Sequence, residues 1–119
     1  MAKRRMFSIE LIETDLFYRL PPSSQIIYLH FNLNADDDGF VGNVNNLVRA
    51  IGAERKYFRL LVERGYLIEF ESGVVAITHW HVNNKVRIDR YTPTRHTKEL
   101  ASLTLGNDLV YTRNSGDFG

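Results

Sequence analysis

Apolar residues in the middle of the chain recur with the spacing of an amphipathic helix. They fall at i, i+3, i+4 and i+7 from Val44 to Ile51, after Asn43, a favourable N-cap residue, and before Gly52, a favourable helix terminator. Similar spacing predicts a second helix over residues 53–64, which is again followed by glycine. The two segments therefore predict a pair of helices joined by a very short turn.

Two further helices are predicted closer to the N-terminus. Thr14 or Asp15 caps a short helix that runs to Leu20, and Ser23 caps a longer helix that runs to Asn34. The longer helix is apolar on nearly every side, which is typical of a helix in the centre of a core. We therefore expect the rest of the domain to surround it.

Short β-segments flank the helix pair. Phe40–Val41 predicts a very short strand after a turn at residues 36–39. Residues 66–70 and 74–78 predict two strands joined by a turn at 71–73, which together form a hairpin. A hairpin directly after a helix-turn-helix pair is the element order of a winged helix.

The C-terminal part is predicted to be less regular. A last helix is expected over residues 94–103, and residues 106–119 are expected to form a disordered tail because they are rich in Gly, Asn, Asp and Ser. The predicted fold class is therefore α+β and mostly α. It is a winged helix-turn-helix at residues 1–105, with a β-hairpin wing and an additional C-terminal helix.

The composition agrees with one small globular domain, since 44% of the 119 residues are apolar and 24% are charged. The absence of cysteine excludes disulfides, thiolate catalysis and cysteine-ligated zinc. No apolar run is long enough to span a bilayer or to form a secretory signal. The sequence therefore predicts a cytoplasmic protein.

The net charge of +1 hides a segregation of charges along the chain. Residues 1–6 carry a charge of +3, and residues 7–78 carry six basic and ten acidic side chains, a net charge of −4. Residues 79–98 carry five basic side chains and one acidic one, a net charge of +4. A local basic segment of this kind allows contact with a polyanion although the whole chain is nearly neutral.

The helix pair carries basic residues on its predicted outer side. The candidate DNA contacts there are Arg49, Arg55, Lys56, Arg59 and Arg64. Arg55 and Arg59 are spaced i, i+4 and share a face. The alternative interpretation is a solvated helix face on which Arg59 pairs with Glu63. The hairpin carries Glu69 and Glu71, which phosphate repels, so it is not expected to clamp the DNA backbone.

The segment from residue 79 to residue 98 interleaves basic, amide and aromatic side chains, which suits contact with nucleic acid. Its candidate DNA contacts are Lys85, Arg87, Arg90, Tyr91 and Arg95. Trp80 and Tyr91 are candidates for stacking on the bases of a single strand. The alternative interpretation is an arm that packs its apolar side chains on the core and exposes its charges.

Metal sites and enzyme chemistry have little support in the residue pattern. Residues 34–39 match the first half of a calcium loop, but Asn45 stands where the loop requires a bidentate glutamate. His79 and His81 lie two residues apart, and only two other histidines are available as further zinc ligands. No phosphate-binding glycine loop and no catalytic set is found. We therefore predict a binding protein that uses no metal or cofactor and is not an enzyme.

Several short motifs together resemble the N-terminal domain of phage replisome organisers, which are similar to the DnaD type of primosomal protein from low-GC Gram-positive bacteria. The resemblance runs from about residue 3 to residue 100. Its motifs are Lys3-Arg4-Arg5-Met6, Ser24-Gln25 ahead of Tyr28, Leu29-His30-Phe31 followed by Ala35-Asp36-Asp37-Asp38-Gly39-Phe40-Val41, Phe70-Glu71-Ser72-Gly73-Val74-Val75, His79-Trp80, Asn83-Asn84 and Asp89-Arg90-Tyr91.

This resemblance implies a winged-helix fold, a part in starting phage or prophage DNA replication, self-association and cooperation with a helicase loader. Three hypotheses follow. The first is a DNA-binding module of a replication initiator. The second is an oligomerisation module of such a protein with little DNA binding of its own, which pairs through a β-edge at residues 74–78 or an apolar arm at residues 80–91. The third is a small transcriptional regulator with the same fold.

Overall fold

A computed structural model describes residues 5–84 and 89–114 of the chain. In this part the chain forms seven helices and five short strands, so the fold is α+β and mostly α. In chain order the elements are α1 (Ile9–Ile12), α2 (Asp15–Tyr18), α3 (Pro22–Asn34), β1 (Phe40–Val41), α4 (Val44–Ile51), α5 (Arg55–Glu63), β2 (Leu67–Glu69), β3 (Val75–Ile77), α6 (Trp80–Asn83), α7 (Thr97–Ala101), β4 (Leu103–Leu105) and β5 (Tyr111–Arg113).

The predicted helix pair is confirmed. α4 ends at Ile51 and is capped by Gly52, which adopts φ +81° and donates its N–H to the carbonyls of Val48 and Arg49. α5 begins three residues after this glycine. Asn43 occupies the N-cap position of α4, but its side chain makes no capping hydrogen bond. The spacing of apolar residues and the terminating glycine are local signals, and the structure follows both.

α3 packs one face against α4 and α5. Its buried residues include Ser24, whose hydroxyl donates to the backbone carbonyl of Tyr57 on α5 at 2.9 Å. Tyr28 packs edge-on against Phe17 and Tyr66, and its hydroxyl accepts a hydrogen bond from Asn83 at 2.8 Å. Burial raises the pKa of Tyr28 to about 12, so this hydroxyl stays neutral at physiological pH.

The opposite face of α3 is exposed, so the prediction of a helix buried on nearly every side is wrong. Ile26, Leu29 and Leu33 are 46%, 36% and 54% exposed, and they fall at i, i+3 and i+7 on one outward stripe. A helix with apolar residues on nearly every side gives too little periodicity for the buried face to be chosen. The helix also begins at Pro22 rather than after Ser23, because proline is pre-organised for the first helical position.

The first sheet has the strand order β1-β3-β2, and both pairings are antiparallel. The predicted hairpin is confirmed as β2 and β3, and the predicted short strand is confirmed as β1. β3 lies between the other two strands, so residues 75–77 are not an edge of the sheet. The hypothesis that a second copy pairs with an exposed edge at residues 74–78 is therefore wrong.

The predictions for the short elements near the N-terminus are confirmed in part. Thr14 caps α2, because its hydroxyl accepts a hydrogen bond from the N–H of Phe17 at 3.2 Å. α2 ends at Tyr18, two residues before the predicted end. α1 was not predicted, since its four residues show too little periodicity to be recognised. No helix in the described ranges is long and apolar enough to cross a membrane.

The C-terminal prediction needs the largest correction. The last helix is confined to Thr97–Ala101, and β4 and β5 pair as a second antiparallel hairpin. Residues 106–114 are therefore not a disordered tail, and residues 115–119 lie outside the described residues. The hairpin is held because Tyr111 is buried, with its hydroxyl donating to the carbonyl of Asp38 and its N–H donating to the carbonyl of Thr78.

Candidate nucleic-acid interface

The outer face of α5 carries the basic side chains that the sequence predicted. Arg55 and Lys56 are exposed, Arg59 is half-buried, and Phe58 and Leu61 face the core. The same helix therefore packs through one side and presents cations on the other. Two further predicted contacts, Arg49 near the end of α4 and Arg64 at the C-cap of α5, are also exposed.

Arg59 differs from its neighbours because it is paired with the hairpin. Its Nη1 lies 2.6 Å from Oε1 of Glu69 on β2, so it does not pair along the helix with Glu63 as the alternative interpretation supposed. The Glu69 carbonyl also accepts a hydrogen bond from Arg113, whose guanidinium lies 5.2 Å from the Phe70 ring. Arg59 therefore compensates the negative charge of Glu69, and as a result it is less free to bind another anion.

Arg55 is held by two neutral groups. Its Nη1 donates to Oδ1 of Asn45 on α4, and its guanidinium carbon lies 5.1 Å from the centre of the Phe58 ring. Phe58 is fully buried, so it provides a fixed surface for the guanidinium. Arg55 thus joins the two helices and has its position restricted, while it remains exposed to solvent.

Lys56 has weaker partners than Arg55 and Arg59. Its Nζ lies 3.7 Å from the Glu54 carboxylate and 5.2 Å from the Tyr57 ring, and both charged side chains are mostly exposed. An exposed pair of this kind is worth less than about 1 kcal/mol. The ammonium therefore exchanges Glu54 for another anion at little cost.

Two grooves meet at Gly42, just before α4. One, of about 330 Å³, is lined by Gly42, Asn43, Val44, Asn45, Asn46, Arg55, Glu69, Ser72 and Gly73. The other, of about 510 Å³, is lined by Asn34, Asp36, Asp37, Phe40, Gly42, Thr92, Pro93, Thr94, Arg95 and His96. Gly42 lines both grooves, with Arg55 of the helix pair in the lining of one and Arg95 of the basic segment in the lining of the other.

The basic segment is only partly described. Lys85 and Arg87 lie outside the described residues, whereas Arg90 and Arg95 are exposed. The Tyr91 ring is 38% exposed, but its hydroxyl donates to the Asp38 carboxylate, 2.8 Å from each oxygen. Burial and the Asp38 carboxylate raise the pKa of Tyr91 to about 12, so it remains a hydrogen-bond donor at neutral pH.

The three consecutive aspartates at residues 36–38 anchor this segment to the core. The Asp38 carboxylate also accepts from the N–H of Thr94 at 2.8 Å, and Asp37 accepts from the N–H of Thr92 at 3.0 Å. Asp36 accepts from the Thr94 hydroxyl, and its other oxygen accepts from the backbone of its own turn. The predicted turn is confirmed, and its carboxylates hold residues 91–94 in place.

Trp80 cannot stack on a base, so that prediction is wrong. Its ring is fully buried, its Nε1 donates to the Asp37 carbonyl at 3.0 Å, and the Arg5 guanidinium lies 5.1 Å from the ring. The packing alternative is therefore right for Trp80. Trp80 packs in the core, and the exposed aromatic residue of this segment is Tyr91.

His79 and His81 add no cation at neutral pH. Burial lowers the pKa of His79 and of His81, although nearby carboxylates oppose the shift. His81 Nε2 lies 3.0 Å from the Tyr111 hydroxyl, which fixes it on the C-terminal hairpin. Within residues 5–84 and 89–114, no three His, Cys, Asp or Glu side chains are grouped so that they can hold a metal ion.

Sequence reasoning missed the amide side chains beside the cations. Asn45 and Asn46 are exposed on α4, and Asn45 lies one turn before Arg49 on the polar face of that helix. The i, i+4 spacing of Asn45 and Arg49 indicates that the two side chains share a helix face, and it could have been read from the sequence. Arg113 was also missed, because it lies on a strand that the sequence did not predict.

Comparisons of the chain with protein-family models, with curated proteins and with solved structures found no match. A functional assignment therefore depends on the chemistry of the described side chains and on the sequence motifs quoted above.

Proposed function

We propose that this chain is a DNA-binding winged helix-turn-helix module of a phage or prophage replication initiator, a replisome organiser, and that it acts by binding rather than by catalysis. The observation that carries the proposal is the outer face of the helix pair, where α4 and α5 turn arginine, lysine and asparagine side chains to solvent. Its partners are DNA and, by the sequence resemblance, a helicase loader.

The order of elements supports a winged helix. α3, β1, α4, α5, β2 and β3 follow one another as in that fold, with β1 paired to the last strand and the hairpin directly after the second helix of the pair. In helix-turn-helix proteins the second helix of the pair enters the major groove. α5 is the second helix of the pair, and because it packs on the core through its apolar side, its basic side faces solvent.

The distribution of charges supports contact with phosphates. Exposed cations border the helix pair and the anchored segment, and they are Arg49, Arg55, Lys56, Arg64, Arg90 and Arg95. Six phosphate contacts correspond to a slope of about −5 when the logarithm of the binding constant is plotted against the logarithm of salt concentration. Replication rather than transcription is proposed because of the motif resemblance.

Salt-sensitive binding is the expected result of the first test. The 119-residue chain is titrated into labelled duplex and single-stranded oligonucleotides, and binding is followed by fluorescence anisotropy. Raising the salt from about 50 mM to about 200 mM is expected to weaken binding about 10³-fold for six contacts. Absence of binding to both DNAs at the lower salt concentration contradicts the proposal.

A matched pair of variants locates the contact. Arg49→Ala/Lys56→Ala removes two exposed cations from the proposed interface, and the salt slope is expected to become less negative by about 1.8. Arg19→Glu, at the C-cap of α2 and outside the interface, lowers the net charge by the same two units and is expected to leave the slope unchanged. Equal slopes for the two variants contradict the placement of the interface.

A second candidate function, self-assembly, is favoured by the exposed apolar stripe of α3. Large exposed apolar patches mark interaction sites, and Ile26, Leu29 and Leu33 lie together on one face. The titratable side chains of α3 are His30 and the buried Tyr28, and the helix contains no Asp, Glu, Lys or Arg. A second copy of the helix therefore brings no like charge against the first across a twofold axis.

Light scattering at high salt tests this second function. We expect the molar mass of a dimer for the natural chain, since an apolar interface persists when charges are screened. Ile26→Glu is expected to give a monomer, whereas Leu105→Glu, on the second hairpin with nearly the same exposure, is expected to leave the dimer intact. A monomeric natural chain at the highest soluble concentration contradicts self-assembly through α3.

A further inference from the structure

On the basis of the proposed DNA binding, we infer that Arg55 and Asn45 together form a base-reading pair that selects guanine in the major groove. The five other exposed cations, Arg49, Lys56, Arg64, Arg90 and Arg95, then contact phosphates, which corresponds to a salt slope of about −4.5. The inference assigns sequence preference to two named side chains, one on each helix of the pair, which the proposed function by itself does not do.

The first argument is the hydrogen-bonding character of the pair. Arg55 donates to Oδ1 of Asn45, so one of the two lone pairs on the only acceptor atom of this side chain is engaged. The Asn45 amide N–H groups and the other guanidinium N–H groups of Arg55 are donors. Both side chains are exposed and line the same groove. The pair therefore presents donors to an incoming ligand.

The second argument is that the position of the guanidinium is restricted. It is bonded to Asn45 on one helix and lies 5.1 Å from the buried Phe58 ring on the other. A fixed fork loses less conformational entropy on binding than a free arginine, and it holds its N–H groups in a constant direction. Reading a base edge requires such constancy, whereas a phosphate accepts a cation from many directions.

The third argument is the chemistry of the base edges. In the major groove guanine presents two neighbouring acceptors, N7 and O6, while adenine presents an acceptor beside a donor and cytosine presents a donor. A pair that offers donors fits guanine best, because adenine and cytosine each leave a donor facing a donor, and thymine offers one acceptor beside a methyl group. Arg59 is not equivalent to Arg55, since Glu69 already accepts its hydrogen bond.

Selection from a pool of random duplexes tests the inference. The natural chain is used to retain DNA, which is then sequenced, and an enriched motif with guanine at one position is expected. Replacing that guanine by adenine is expected to weaken binding about 5- to 150-fold. Replacing it by 7-deazaguanine, which lacks the N7 acceptor, is expected to weaken binding in the same direction.

Charge-conserving variants separate base reading from phosphate contact. Arg55→Lys keeps the charge but lacks the fork, so it is expected to lose the guanine preference while its salt slope stays the same. Asn45→Ala frees the guanidinium and is expected to reduce the preference. Arg49→Lys is the matched control on α4 and is expected to keep it. Urea unfolding checks that each variant is folded.

The outcomes distinguish this inference from the proposed function. Retained duplexes without base preference, or a guanine preference that survives Arg55→Lys, overturn the inference and leave DNA binding in place. In the first case Arg55 does not read a base, and in the second case the reading of guanine does not require the arginine fork. A natural chain that retains no duplex overturns the inference together with the proposed function.

Discussion

Replacing Gly39 by alanine is expected to destabilise the fold by about 4 kcal/mol, from a strained backbone and an overpacked core together. Gly39 adopts φ +88°, and a Cβ atom there would lie 2.5 Å from Cγ and 2.6 Å from Cβ of Trp80. The Trp80 ring cannot yield, because it is fully buried and hydrogen-bonded to Asp37. Urea unfolding of the purified variant measures the loss.

Gly73→Ala is the matched control for this prediction. Gly73 lies in the turn between β2 and β3 with φ +87°, but apart from its own atoms and those of its two chain neighbours, no heavy atom lies within 4 Å of the position that a Cβ would take. Its substitution therefore carries only the cost of the left-handed backbone, about 1 kcal/mol. Equal losses for Gly39→Ala and Gly73→Ala would show that the contact with Trp80 does not constrain residue 39.

The parts of the fold that the sequence predicted are those with local signals. α4 and α5 have regular apolar spacing and are followed by Gly52 and Gly65, and the first hairpin consists of two β-rich runs around a short turn. The second hairpin has no such signal. It depends on Tyr111, whose hydroxyl reaches the Asp38 carbonyl across 73 positions of sequence, and such a contact cannot be read from composition.

The candidate site was predictable as a set of cations but not as a set of partners. The i, i+4 spacing of Arg55 and Arg59 placed both on one face, and the structure agrees. The spacing does not reveal that Arg59 is bonded to Glu69 while Arg55 is bonded to Asn45, since both contacts are tertiary. Because the two partners differ in charge, these two arginines differ in their freedom to contact DNA.

Replacing Asp38 by alanine is expected to loosen residues 91–94 on the core, although Asp37 still accepts from the Thr92 N–H and Asp36 from the Thr94 hydroxyl. The carboxylate accepts hydrogen bonds from the Tyr91 hydroxyl and from the N–H of Thr94, and bonds to a charged acceptor contribute about 1.5–3 kcal/mol each. Removing one of three adjacent carboxylates relieves some repulsion, so the expected net loss is about 3 kcal/mol. Hydrogen exchange at the Thr94 amide measures it.

Two comparisons keep this prediction specific. The Ile77 amide, which donates to the Gly39 carbonyl at 2.8 Å, reports on the core and is expected to lose less protection than Thr94. Tyr91→Phe removes one donor and leaves the Thr94 bond to Asp38, so it is expected to have a smaller effect. Unchanged exchange at Thr94 in Asp38→Ala would show that the carboxylate does not anchor the segment.

The same variant connects the anchor to the proposed function. Arg90 and Arg95 flank the anchored residues, and Arg95 lines a groove that shares Gly42 with the groove lined by Asn45 and Arg55. If the anchor positions both cations for phosphate contact, releasing it removes two contacts, and the salt slope of duplex binding becomes less negative by about 1.8 in Asp38→Ala. Loss of the anchor without a change in slope would place these cations outside the DNA interface and confine it to α4 and α5.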